Sequence, residues 1–132
     1  MSYYYNAFVL CPRYSNASVE LAESQFRHFF EETSERIIRE GHNKLVLKVN
    51  DWSLRVHFNS QPYVLEESKE LAQYYAANRA DKDLIAACAS RFEIISDLDP
   101  EGNYFNYYVF VVELLEQFAG AITFDCQVRN FV

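Results

Sequence analysis

Ser96 to Tyr108, SDLDPEGNYFNYY, places Asp97, Asp99, Glu101 and Gly102 at positions 1, 3, 5 and 6 of a twelve-residue calcium loop. Such a loop closes its coordination shell with a bidentate carboxylate at position 12, and here that residue is Tyr108. It also follows a helix, whereas the preceding RFEIISD reads as a strand. The acids have a second explanation. Asp99 suits a helix cap, Pro100 a first helical position, and Glu101 the positive end of a helix. Gly102 argues against so early a start, which moves the helix to Asn103. The stretch therefore reads as a capping loop. Asp97, Asp99 and Glu101 remain weak candidates for a cation or for hydrolase chemistry, and no cofactor is expected.

Nucleophilic catalysis needs a Ser or Cys beside a His that an acid orients. His28, next to Phe29, reads as half-buried helix packing. His42 follows Gly41 at an expected helix end, where a cation is favoured. HExxH, CxxC, GxSxG and a glycine-rich phosphate loop are all missing, and three glycines give little material for a phosphate-cradling turn. The pattern points away from an enzyme.

Only His57 has charged company. KLVLKVNDWSLRVHF reads as two alternating strands joined at Asn50-Asp51. A two-residue turn sets Val49 opposite Trp52, Leu47 opposite Leu54 and Leu45 opposite Val56, so one face is apolar. The other face carries Lys44, Lys48, Arg55 and His57, with Val46 and Ser53. This is a basic patch on an acidic protein. It suits an anionic group or small molecule, or it is a solvated edge whose lysines deter stray strand pairing.

The helix expected over 103–119 is apolar almost all round. Tyr104, Tyr107, Val111, Leu114 and Phe118 form one stripe, with Phe105, Tyr108, Val109, Val112, Leu115 and Ala119 beside it. Such a helix is either buried on several sides or covers a partner. The first stripe is thus a candidate interface for another protein or for a second copy in a homodimer, since interfaces favour Tyr and Phe.

The elements that must position these groups follow from periodicity. YNAFVLC (5–11) is a strand ended by Pro12. A long helix is predicted from Asn16 to Glu40, with Val19, Ala22, Phe26, Phe29, Phe30, Thr33 and Ile37 inward. Pairs Glu32–Arg36 and Glu35–Arg39 support it, and Gly41 closes it. After the hairpin come a helix over Glu66–Asn78 with Leu71, Tyr74 and Tyr75 inward, then a short turn capped by Asp81. A strand at RFEIISD, the apolar helix and a last strand over 121–125 complete the chain. The first six elements match a ferredoxin-like βαββαβ order, extended by a C-terminal helix and strand. The expectation is a single α+β domain over residues 1–132, an antiparallel sheet with helices packed on one face.

Composition excludes several classes. Half of the residues are hydrophobic and only three prolines interrupt them, so the chain should be ordered. Eleven Phe, ten Tyr and one Trp supply either a thick core or an aromatic surface. A net charge of −7 opposes binding to nucleic acid or anionic membrane. MSYYYNAFVL has no basic segment or long apolar run, so no signal peptide is expected, and no stretch approaches the ~20 apolar residues of a membrane span. Cys11, Cys88 and Cys126 are too far apart for a zinc site and odd in number for disulfides, which fits a cytoplasmic address.

The run DWSLRVHF…PYVLEESKELA…RFEIISDLDPEGNYFNYYVFVVELLEQF…ITFD resembles small bacterial α/β proteins of uncharacterised function, some of them immunity proteins of contact-dependent toxin systems. The likeness covers about the last 80 residues and carries no catalytic residue. It implies a non-catalytic role in binding another protein, in which an acidic surface would meet a basic toxin face.

Overall fold

Alternating segments of the chain join into one sheet in the computed structural model, which describes residues 4–30 and 35–132. The strands are β1 (Asn6–Cys11), β2 (Arg36–Glu40), β3 (Lys44–Val49), β4 (Trp52–Asn59), β5 (Ser90–Ser96), β6 (Ile122–Asp125) and β7 (Asn130–Phe131). Among the described residues four α-helices accompany them: α1 (Val19–Phe30), α2 (Pro62–Tyr75), α3 (Lys82–Ala86) and α4 (Phe105–Leu115). The α+β class and the antiparallel sheet agree with the sequence reading. The strand order, β2-β3-β4-β5-β1-β6-β7, does not follow the ferredoxin-like expectation. That arrangement sets two parallel strands side by side. Here β5 lies between β4 and β1, and every pairing is antiparallel.

The long first helix is the largest correction. α1 is described over Val19–Phe30, and Arg36–Glu40 is a strand paired with β3, not a continuation of that helix. Ile37 and Ile38 are β-branched and favour the pleated sheet, while Gly41, at φ 63°, turns the chain into β3. Ile37 still reaches the core, but from a strand. Arg39 does not pair with Glu35. It reaches back across α1 to Glu23 at 2.9 Å and Glu20 at 3.3 Å. Thr33 and Glu32 lie outside the described residues. His28 and His42 are exposed, and Phe29, expected inward, is 48% exposed against Phe110.

Helices cover both faces of the sheet, not one. On the first face α1 and α4 enclose Val9 and Cys11 of β1, Leu45, Leu47 and Val49 of β3, Trp52, Leu54 and Val56 of β4, and Phe92 and Ile94 of β5. On the second face α2 and α3 pack Ala72, Ala76 and Ile85 against Leu10, Phe124 and Phe131 of β1, β6 and β7. A single sheet with two apolar faces at one end needs cover on both sides there.

Smaller differences have local causes. α2 begins at Pro62, whose missing N–H costs nothing at a first helical position, and buries Val64, Ser68 and Ala72, while Tyr74 is 70% exposed. Asp81 makes no cap hydrogen bond because its carboxylate holds Arg79 at 2.8 and 2.9 Å. The two-residue strand β7 is too short for any periodicity to reveal.

Candidate functional site

Each side chain of the basic hairpin face is placed by the β3–β4 register, which is the predicted one: Val49 opposite Trp52, Leu47 opposite Leu54, Leu45 opposite Val56. Period-two alternation then turns Lys44, Val46 and Lys48 of β3, and Ser53, Arg55 and His57 of β4, to the second face. β5 continues it with Glu93 and Ile95, and β1 with Asn6 and Phe8. One row across the sheet runs Glu40, Lys44, His57, Glu93, Phe8; the next runs Ile38, Val46, Arg55, Ile95, Asn6. Phe8 also packs toward the cluster formed with α2 and α3, so it stands where the helical cover meets the open sheet.

A cleft of about 440 Å³ lies on this open half, lined by Asn6, Phe8, Lys44, Arg55, His57, Glu93 and Ile95 among others. Arg55 donates to Asp97 Oδ1 at 3.0 Å, and His57 Nδ1 lies 3.2 Å from Glu93 Oε1. Glu93 Oε2 also accepts from Asn59 at 2.9 Å and from Arg91 Nε at 2.8 Å. Burial pushes the Glu93 carboxyl upward, but hydrogen bonds from Asn59, Arg91 and His57 outweigh it and hold the group below the ordinary carboxylate range. Arg91 is 4% exposed. It bonds Glu67 at 2.7 Å, lies 4.0 Å over the Phe8 ring, and keeps Nη1 buried without a hydrogen-bond partner. Lys44 and Lys48 make no ion pair with any described residue. Four of the cleft's residues, Asn6, Phe8, Glu93 and Ile95, are not singled out by the sequence. The strand patterns of RFEIISD, for Glu93 and Ile95, and of YNAFVLC, for Asn6 and Phe8, are their only signal, and such a pattern names a face without naming its neighbours.

The acidic loop serves structure. Asp99, 5% exposed, accepts the N–H groups of Asn103 and Tyr104 at 2.9 Å each, and the Tyr5 hydroxyl at 2.5 Å. Burial, followed by that bond to Asp99, raises the Tyr5 phenol to about 12. Pro100 does not open the helix, which begins at Phe105. Asp97 takes the Ser53 N–H at 2.9 Å together with Arg55, tying β5 to β4. Glu101 is exposed. Among the described residues no three His, Cys, Asp or Glu side chains are gathered where they would hold a metal ion. The cysteines are free, and burial raises the Cys11 and Cys88 thiols to about 12, so neither is a thiolate at neutral pH.

The stripe expected to form an interface is mostly core. Val111 is 0% exposed, Leu114 8% and Phe118 7%. Tyr104 stacks on Trp52 with ring centroids 4.9 Å apart, and Tyr107 donates to Glu35 at 2.6 Å. Sheet and α1 cover the Val111, Leu114 and Leu115 side of α4 and Tyr5 stacks on Tyr108, while Phe105 and Phe110 stay 48% and 38% exposed on its outer side. No protein-family model matches this sequence, and no curated protein or solved structure is significantly similar to it. No helix among the described residues is long and apolar enough to cross a membrane.

Proposed function

We propose that the chain is a non-catalytic binding protein that holds an acidic segment of another protein on the open half of its sheet. One observation carries the reading. Half of the second face lacks helical cover among the described residues, and there Lys44, Lys48, Arg55 and His57 flank the apolar Val46 and Ile95. Apolar ground with cations at its margins suits a partner that brings carboxylates, and the charges would speed and orient its approach. Inhibitor-type binding, in which this chain covers another protein's working surface, is the form that the resemblance implies. The charge arrangement differs from what net charge alone suggested, because the uncovered face mixes cations with Glu40 and Glu93, and Lys44 and Lys48 make no ion pair with a described residue.

The concave shape near Arg55, His57 and Lys44 favours a second reading, a small carboxylate or phosphate ligand in the cleft. NMR titration with hexaglutamate and, separately, inorganic phosphate distinguishes the two. Hexaglutamate should shift the amides of β3–β5 around Lys44, Arg55 and His57, and weaken with added salt. The Lys44→Ala/Arg55→Ala double variant should abolish those shifts. Phosphate binding at the same amides, with hexaglutamate silent, would replace the first reading with the second. No perturbation on this face, or perturbation indifferent to the substitutions, would sink both.

A further inference from the structure

The edge strand β2 has the sequence Arg36-Ile37-Ile38-Arg39-Glu40 and pairs only with β3 among the described strands. Which of its backbone groups face outward follows from bonds farther in. Phe58 N–H donates to the Asn43 carbonyl at 2.8 Å, so odd-numbered residues of β3 bond toward β4 and even-numbered ones toward β2. Through Arg36 opposite Lys48, Ile38 opposite Val46 and Glu40 opposite Lys44, the even positions of β2 are spent on β3. The N–H and C=O groups of Ile37 and Arg39 therefore point away from the sheet. An edge of this kind is a template for another strand.

We propose that β2 pairs antiparallel with β2 of a second copy about a two-fold axis at Ile38, joining two sheets into one. In that register Ile37 exchanges backbone hydrogen bonds with the second copy's Arg39, the positions whose groups face outward. Ile38 packs on Ile38, and Arg36 lies opposite the second copy's Glu40 at both ends. The backbone parity also permits slips of two residues, and each is worse. One sets Glu40 against Ile38 and the other sets Arg36 against Ile38, so each leaves a charge unmatched. Opposite charges facing each other directly are favourable, so the charges select the register centred on Ile38.

Two features of the single chain fit this occupant. Arg39 is already neutralised within its own subunit by Glu23, Glu20 and the carbonyls of Gly41 and His42, so it brings no free charge against Ile37. Arg36 stands directly opposite Lys48, a like-charged pair, and neither makes an ion pair with a described residue. The second copy's Glu40 would stand beside both. The association is isologous, and closing it uses up the exposed edge.

Sedimentation velocity over a wide concentration range tests the pairing. A dimer is expected, and Arg36→Glu should weaken it by roughly ten- to thirtyfold, because two attractive pairs become repulsive. Glu40→Arg should do the same. Combining both substitutions in one chain reverses every pair and should restore the dimer. Both positions are exposed, and circular dichroism confirms that each variant keeps the fold. Amide exchange in the unaltered protein is a second readout: protection at Ile37 and Arg39 should rise with concentration. A monomer throughout, a dimer indifferent to Arg36→Glu, or exchange at those two amides that ignores concentration would overturn the proposal. None of these results bears on hexaglutamate binding around Arg55 and His57, which rests on β3–β5.

Discussion

The two faces of the sheet are finished differently. On the first, α1 and α4 meet a continuous apolar surface drawn from β1, β3, β4 and β5, and polar side chains lie at its margins. On the second, α2 and α3 cover the end built by β1, β6 and β7, while β2–β5 keep Lys44, Lys48, Arg55, His57 and Glu93 in reach of solvent. The strands are shared by both faces, so backbone hydrogen bonding cannot account for the contrast. Side-chain chemistry does. Large apolar groups on one face exclude water and demand a helix, whereas long cationic side chains on the other can cover Val46 with their stems and keep their charges wet. The region most suspected of binding from sequence, α4, belongs to the closed face. The open face is the hairpin's reverse side.

Substitutions can break this contrast or sharpen it. Val111→Glu places an unpaired carboxylate in the closed face, and denaturant unfolding should show a loss above about 4 kcal/mol, or no folded protein at all. If α4 were instead a docking surface, the same change would leave the monomer's stability near that of the parent. Glu93→Gln, on the open face, should cost about 1–3 kcal/mol at neutral pH by weakening charged hydrogen bonds to nearly buried Arg91. Its pH dependence has a defined sign. The folded-state carboxyl is held below its ordinary value, so the stability it supplies is full above the ordinary carboxylate range and fades as pH falls through the lowered value. Acid unfolding of the Glu93→Gln variant should therefore be flatter than the parent's in that window. Smallest of all, Lys44→Ala and Lys48→Ala should each stay within about 0.5 kcal/mol of the parent's stability. A larger loss would mean that these lysines are part of the structure and not free to bind.

Much of the hairpin was legible in the sequence because its information is local. Three apolar cross-strand pairs and a two-residue turn allow only one register that keeps every large side chain on one side. The importance of Asp99 was legible but its role was not: α4 starts at Phe105 with no side-chain cap bond, and the Asp99 carboxylate holds the Asn103 and Tyr104 N–H groups in the loop before it. β2 was not legible. Ile37 falls on the apolar stripe that begins at Val19, so helical periodicity runs on past the place where the chain stops being helical. Gly41 suits a helix end and a tight turn equally, because both need a positive φ.

The α+β class, the pairing of β3 with β4 and the cationic side chains of one hairpin face could be read from the amino acids alone, because they follow from periodicity and from contacts between residues close in the chain. Distant contacts settle that β5 lies between β4 and β1, that helices take both faces, that α4 buries Val111, Leu114 and Leu115, and that Glu93, Ile95, Asn6 and Phe8 join the hairpin's cations. Those outcomes depend on which distant surfaces exclude water against one another. Apolar attraction is not directional, so a stripe of hydrophobic residues states that it must be covered but not by what.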